Sequence, residues 1–461
     1  MFDLKLGYDC FYDMAHLNIR GASIASAAFS FELYKRKILP LKNFLGMNYE
    51  YFELLSKLLP KDTYNALMSD VFKLSAERIR SKNKIKVGFV LYDSSMWCGD
   101  DLYNYFARDE RFEPTIFLCL RTDKINDELV RKDFFHGVEQ FKSHGLNVMP
   151  LPEKNSAIPA QDVLIFLTPY FSVLPHAFQM RTLDANTLVA YIPYSFQVSG
   201  LNVFNFNILH VARKVFFSTE FILKLTDQRC TTSMQRGVCS GYPKLDVFFK
   251  DKNNLRFYWK TARPDAKKII WAPHWSINEG VKYSTFQWNW RFMYEFAKAH
   301  HEISWIVKPH PNLLFSAVKS GVFSSTAAFE EYLKAWNDLP NAQVYTGAYY
   351  HAIFTTSDGM ILDSGSFIAE YQYVHKPMIF LTRESEQFNE IGREILNVSY
   401  LVDGRDLNGI AKLMQKIFIE GGDPKHSVRE EFFDKYLNYY KHNGMTASKF
   451  IYKNIRDELE S

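Results

Sequence analysis

Two successive alternations of short apolar runs with helix-like segments fill residues 85–381, and they leave few folds open. Ile85–Leu91 is nearly all apolar, as a parallel strand covered on both faces must be. A helix over Asp100–Phe106 follows, then a strand at Pro114–Leu120 and a helix at 126–144. Further strands are expected at 146–149, 163–167, 188–192 and 214–217. A second series opens at Lys268–Trp271. Its helix is expected over 286–300, because Phe286, Trp290, Met293, Phe296 and Ala297 share one face at helical spacing. Strands at 303–307, 343–345, 359–362 and 377–381, with a helix at 329–336, complete it. Strands alternating with helices predict an α/β fold of doubly wound units. Two in tandem predict Rossmann-like domains facing across a cleft, with ligands beyond the carboxyl ends of the strands.

A chain of 461 residues is too long for one core. Four segments are expected: a helical N-terminal extension 1–83, two Rossmann-like domains at 84–250 and 251–425, and a helical tail 426–461. The 55 basic and 51 acidic residues are too balanced to argue for a nucleic-acid partner. Cys10, Cys98, Cys119, Cys230 and Cys239 form no CxxC pair, so neither a disulfide framework nor a metal site is indicated. No apolar run reaches the length of a membrane span, and no secretory signal opens the chain. A cytoplasmic location is therefore expected. Phe31–Phe44, with Lys35, Arg36, Lys37 and Lys42, offers an amphipathic surface for peripheral contact with the inner face of a membrane. Packing on the first α/β domain is the other reading of that stretch.

Four loops follow strands of the second series. Thr356–Ser366, with Glu370 behind it, reads as a strand tip, a small-residue turn and a helix start. Ser364, Gly365 and Ser366 let a ligand approach their amides, and a helix N-terminus suits phosphates. Asp358 and Asp363 flank this strand and are expected among the donor-binding residues, and Glu370 lies one turn on, where a carboxylate can accept from ribose hydroxyls. The same residues also read as an ordinary capped helix, with Asp363 or Ser364 as N-cap. Ala272–Ser276 carries His274, and Lys308-Pro309-His310-Pro311 carries a lysine and a histidine between prolines. Such groups at strand ends can bind a pyrophosphate and offset charge on a leaving phosphate. Thr382, Arg383 and Glu384 form the fourth loop. In the first series, Asp93 follows strand 85–91 and is the best-placed base for an acceptor hydroxyl, with helix capping as its plain alternative. Trp97 and Tyr194 are expected to line the acceptor side. No GxGxxG, Walker loop, HExxH or Gly-x-Ser-x-Gly motif occurs, and no metal or resident cofactor is demanded.

Gly241-Tyr242-Pro243-Lys244-Leu245-Asp246, Ala272-Pro273-His274-Trp275, Lys308-Pro309-His310-Pro311 and Ser357–Phe380 resemble, in order, the motifs of CDP-glycerol glycerophosphotransferases. These are GT-B polymerases of teichoic acid and capsule. The resemblance implies a GT-B-like fold, with the acceptor on the 84–250 domain and the nucleotide donor on the 251–425 domain. It implies that His310, Ser364, Gly365 and Ser366 hold the donor pyrophosphate, and His310, stabilising the departing nucleotide there, is expected to be catalytic. It puts Glu370 near the ribose or a glycerol-like group. The loop also resembles the donor site of UDP-N-acetylglucosamine 2-epimerases. The family's His-Gly pair of the N-terminal half is missing from Val189–Ser195. The expected activity is transfer of a glycerol-phosphate-like or glycosyl group from a CDP- or UDP-linked donor to a surface polysaccharide or its lipid-linked precursor. An epimerase, or a non-catalytic subunit of a capsule assembly, is the alternative.

Overall fold

The computed structural model describes residues 19–37, 39–200, 206–230, 232, 234–250, 255–278, 280, 282–347, 349–384 and 387–460. Residues 1–18 of the expected helical extension 1–83, Cys10 among them, lie outside the described residues. The chain divides into two units. One comprises Met1–Tyr194, Val203–Lys244 and Met445–Ser461; the other comprises Ser195–Asn202 and Leu245–Gly444.

The first unit holds seven strands: β1 (Ile85–Leu91), β2 (Phe112–Cys119), β3 (Val148–Leu151), β4 (Val163–Phe166), β5 (Leu188–Tyr191), β6 (Lys214–Phe217) and β7 (Gly237–Cys239). Their order is β3-β2-β1-β4-β5-β6-β7, and every pairing is parallel. In β1 only Lys86 is exposed, which is why its run had to be apolar on both faces. The second unit holds β8 (Lys267–Ala272), β9 (Ile303–Val307), β10 (Ala342–Val344), β11 (Gly359–Leu362), β12 (Met378–Thr382) and β13 (Tyr400–Asp403). Their order is β10-β9-β8-β11-β12-β13, again all parallel. Each sheet grows outward for three strands and then returns to its middle, reversing between β1 and β4 and between β8 and β11. Such a reversal opens a crevice beyond the carboxyl ends of the two central strands.

The edge strands β7 and β13 were not expected. Edge strands are covered on fewer sides, and the apolar runs here, Gly237–Cys239 and Tyr400–Val402, are only three residues long: β7 is half-buried, and β13 buries Tyr400 alone. The aromatic richness of the chain is spent mainly on cores. Trp271, Phe286, Tyr332, Trp336 and Trp305 pack together in the second unit, and Trp290 lies against Phe323 with ring centroids 4.7 Å apart. Each such pair contributes about 0.5–1.5 kcal/mol beyond the area it buries.

The N-terminal helices belong to the first unit. Asn48 caps the helix Tyr49–Leu58, and Lys61–Arg80 follows. The Tyr49 hydroxyl donates to the Thr187 carbonyl at 2.6 Å, and that of Tyr64 to the His210 carbonyl at 2.7 Å. Phe44 is fully buried between Tyr34 and Phe52, so this part of the amphipathic stretch packs on protein, while Lys35, Arg36, Lys37 and Lys42 face solvent. Among the described residues no helix is long and apolar enough to cross a membrane. The expected tail 426–461 is divided between the units: helices His426–Tyr436 and Tyr439–Asn443 lie in the second. Helix Ala447–Glu460 lies in the first, where Tyr452 stacks on Tyr105 and donates to Asp109 at 2.6 Å.

Candidate functional site

In the second unit, Ala272 at the end of β8 is registered with Leu362 at the end of β11, so the loops that follow leave the sheet side by side. Asp363 joins them. One of its oxygens accepts from the His274 amide at 2.6 Å; the other accepts from the amide and hydroxyl of Thr285 at 2.5 and 2.9 Å. Its carboxylate is buried and occupied by these donors, so it neither caps a helix nor faces a ligand. Asp363 positions the histidine loop instead. Arg383 assists, donating to the carbonyls of Ile277 and Ser284 at 2.9 and 2.6 Å.

Two histidines follow from this scaffold, and each is oriented by the same local device. The Ser276 amide donates to His274 Nδ1 at 3.2 Å, and the Asn312 amide donates to His310 Nδ1 at 3.1 Å. A nitrogen that accepts from an amide carries no proton, so both rings are Nε2–H tautomers. The two loops are joined by the His310 amide, which donates to the Pro273 carbonyl at 3.1 Å, and the ring centroids are 5.1 Å apart. Burial, followed by the charge of Lys308, lowers the His310 imidazole to about 4. Burial, followed by His310, holds His274 well below its ordinary range. At neutral pH this is a pair of uncharged N–H donors.

Lys308 is buried, with its Nζ donating to the Gly347 carbonyl at 2.9 Å and lying 5.3 and 5.5 Å from the rings of Tyr345 and Tyr350. The Tyr350 hydroxyl donates to Glu370, which is itself buried. Ser364, Gly365 and Ser366 are half-buried at the start of the short helix Ser366–Glu370. Gly365 is its N-cap, without a side-chain cap, and the amides of all three residues lack an intramolecular acceptor among the described residues. A Cβ on Gly365 would stand 3.3 Å from the Tyr283 ring, so this turn has little room for a larger residue.

Asp358 is placed otherwise than expected. It precedes β11, at the amino end of the strand, and its carboxylate accepts from the Lys268 amide at 2.8 Å, across the sheet from the loops above. Thr285, Ser276, Tyr345 and Tyr350 were not anticipated; only the Ser276-to-His274 spacing of two residues offered a local signal.

In the first unit, Asp93 caps the short turn Ser94–Met96, accepting from the Ser95 amide at 2.8 Å. Around the carboxyl ends of β1, β4 and β5 stand Tyr92, Tyr170 and Tyr194. The Arg121 guanidinium lies 5.2 Å from the Tyr92 ring, and burial pushes the Tyr92 phenol up to about 12. Burial first, then Tyr170, raises Tyr194 further. Trp97 does not line this surface. It is buried between Phe89 and Phe141, with centroids 5.4 Å from each, and its indole donates to Asp100 at 2.7 Å.

The Asp363 carboxyl carries a pH prediction. Burial pushes it up to about 6, against the pull of Thr285 and His274. Above that value it is ionised and accepts all three donors; below it, the proton displaces a donor and the histidine loop loosens. Turnover should therefore fall on an acid limb centred near 6, and Asp363→Asn should turn over at least tenfold more slowly without that limb. The stability linkage has the opposite sense. The native carboxyl holds its proton to higher pH than an unfolded aspartate near 3.9, so this group's contribution to stability declines as pH rises from about 4 to about 6. An unchanged acid limb in the variant would remove Asp363 from this role.

A family model described as CDP-Glycerol:Poly(glycerophosphate) glycerophosphotransferase matches residues 217–456, just over half of the chain. No curated protein matches. Among solved structures, the wall teichoic acid polymerase TagF, as a histidine-to-asparagine variant, is similar at 13% identity and a TM-score of 0.53, covering 96% of this chain and 99% of that one. The same kind of TagF variant soaked with CDPG for 15 minutes is similar at 12% identity and a TM-score of 0.51, with the same coverage. A UDP-N-acetylglucosamine 2-epimerase structure from Listeria monocytogenes, itself described as putative, gives 14% identity, 82% and 97% coverage and a TM-score of 0.49. At these identities the TagF likeness shows the fold.

Proposed function

This chain belongs to the CDP-glycerol:poly(glycerophosphate) glycerophosphotransferase family, and from that premise we propose that it moves glycerol phosphate from a CDP-linked donor to a hydroxyl of a teichoic-acid-like surface polymer or its lipid-linked precursor. It is a transferase, on an α/β fold of the GT-B class. The observation that carries the substrate reading is the convergence, at the strand-order reversal of the second sheet, of two neutral Nε2–H histidines with the open amides of Ser364, Gly365 and Ser366. Amides and neutral imidazoles suit an anion whose charge grows as a phosphate leaves.

In this reading the diphosphate lies on the Ser364–Ser366 amides and accepts from His310 and His274. An acceptor oxygen bonds to the phosphorus bearing glycerol, the bond from that phosphorus to the bridging oxygen breaks, and CMP leaves. Asp93 takes the acceptor proton. Tyr92, Tyr170 and Tyr194 offer hydroxyls and ring faces suited to a polyol acceptor. Lys308, held by Gly347 and the tyrosines, adds a fixed positive charge behind His310, and Glu370 orients Tyr350 rather than meeting the ribose directly. A capsule-type acceptor and a working place at the inner face of the cytoplasmic membrane belong to the same proposal.

A thermal-shift panel of CDP, CMP, UDP, UMP, GDP and ADP tests the donor. At a hundredfold excess over Kd, CDP should raise Tm by about 2–5 °C, and the other bases should do less. Ser366→Trp should abolish the shift by filling the turn. Preference for UDP would replace the CDP reading with a UDP-linked donor, and an undiminished shift in Ser366→Trp would move the nucleotide away from this loop.

A further inference from the structure

Arg121 has no part in the transfer as proposed, yet it stands beside the tyrosines at the carboxyl ends of the first sheet. Its loop follows β2 and crosses the end of β1 to reach the loop after β4. There the Thr122 amide donates to the Val173 carbonyl at 2.9 Å, and the Thr122 hydroxyl to the Ser172 carbonyl at 3.4 Å. The bridge holds the Arg121 guanidinium 5.2 Å from the ring of Tyr92, the residue before Asp93. One edge of the guanidinium is occupied: Nε and Nη2 donate to the two Asp123 oxygens at 3.0 and 2.7 Å. Asp123 belongs to the same loop, so the pair fixes the plane of the fork. The opposite end, Nη1 with the second proton of Nη2, has no acceptor among the described residues, and the side chain is 29% exposed. The Asp123 bonds first, then the fields of Asp123, Tyr92 and Asp93, hold the guanidinium above its ordinary range against the cost of partial burial. A second cation reaches the same turn, where Lys244 Nζ donates to the Ser95 carbonyl at 3.0 Å. Arg121 and Lys244 together offset Asp93 and Asp123, so an anion arriving here meets no excess of negative charge.

We propose that Arg121 is the residue by which the first unit selects an acceptor ending in a glycerol phosphodiester over one ending in an uncharged sugar or polyol. The inference rests on the reading of this surface as the acceptor side, and it names what that side discriminates. The open end of the guanidinium donates two parallel hydrogen bonds to the unbridged oxygens of the last phosphodiester. That phosphorus lies one glycerol away from the hydroxyl that Asp93 deprotonates. A fork already fixed in plane matches two oxygens on one phosphorus, which a point charge does not. The tyrosines by themselves suit any polyol; the guanidinium adds the preference for charge. Arg121 meets the acceptor away from the bonds that form and break, so its loss is felt in the acceptor KM and little in kcat.

The test uses the full chain, first without donor. Its probes are glycerophosphoglycerol, two glycerols joined by one phosphodiester, and triglycerol as the uncharged control, with binding followed by calorimetry and saturation-transfer NMR. Wild type should bind the diester about tenfold more tightly than the control, the size expected of a charge-assisted pair. Arg121→Met should bind the two probes about equally, with Tm within about 3 °C of wild type, since an exposed ion pair contributes little to stability. Arg121→Lys, which keeps the charge but not the fork, should retain part of the preference. With CDP-glycerol added, Arg121→Met should raise the KM for a glycerophosphate-ended acceptor about tenfold and leave the donor KM unchanged. No binding of the diester, equal affinity of wild type for the two probes, or an undiminished preference in Arg121→Met would each overturn the proposal. Absence of transfer by wild type would sink the glycerol-phosphate reading instead, and the donor-free comparison decides Arg121 either way.

Discussion

Replacing His310 with alanine should cost the enzyme about 10²–10³ in kcat while its melting temperature stays within a degree or two of wild type. The size comes from what the ring is proposed to do. Its Nε2–H is held in place because the Asn312 amide occupies Nδ1 and the Pro273 carbonyl anchors the backbone. A donor fixed before the reaction and aimed at growing charge is worth several kcal/mol in the transition state and little in the ground state. The KM for the donor should therefore move much less than kcat. His310→Asn refines the test. Its side-chain oxygen can take the Asn312 amide while its NH₂ donates, so it should recover part of the lost rate. Near-wild-type turnover by His310→Ala would remove this histidine from the mechanism. Equal losses in the alanine and asparagine variants would show that the ring's shape, not its proton, is what the site uses.

Arg429→Ala should produce the largest loss of stability, about 3–5 kcal/mol within the second unit. The side chain is fully buried. It grips Asp423 with two nitrogens, at 2.5 and 3.3 Å, and donates to the His375 carbonyl at 3.3 Å. Asp423 also accepts from the Tyr400 hydroxyl at 2.8 Å, so one arginine ties helix His426–Tyr436 both to β13 and to the turn before β12. Truncation leaves a cavity, a half-paired carboxylate and an unmet carbonyl together. Arg429→Met should restore part of the loss, since an apolar chain of similar length fills the space, although Asp423 still lacks its partner. Thermal melts and limited proteolysis would detect the change. A melting temperature for Arg429→Ala within a degree of wild type would show that the Tyr400 contact suffices.

Much of this fold was legible because buried parallel strands must be apolar on both faces. β1, β6, β9 and β11 were delimited residue for residue, and the loops bearing His274, His310 and Ser364 followed from strand ends. Asp358 was misjudged although the signal was present. A strand beginning at Gly359 already puts Asp358 at its amino end, where the sheet offers no crevice to a ligand. Trp97 was misjudged because its direction depends on helix Glu128–Ser143, which brings Phe141 against it from more than forty residues away. The grip of Tyr345 and Tyr350 on Lys308, and of Thr285 on Asp363, joins residues distant in sequence with no periodicity linking them. Such contacts are set by how loops settle on a finished sheet. Local pattern has no access to them.

The path of the chain has a consequence for engineering. Helix Ala447–Glu460 completes the first unit after the chain has finished the second, with Arg213 pairing to Glu458. The second unit is thus inserted within the chain of the first, as Leu245–Gly444 together with the short segment Ser195–Asn202. A single cut cannot yield two intact halves. Stopping translation before residue 445 would bare Tyr105, Phe106 and Phe112, which Tyr452 covers, and strip Arg213 of its carboxylate. Exchanging the second unit for a relative's therefore means replacing Leu245–Gly444 as an internal cassette, with Ser195–Asn202 matched to it and the flanking chain kept whole.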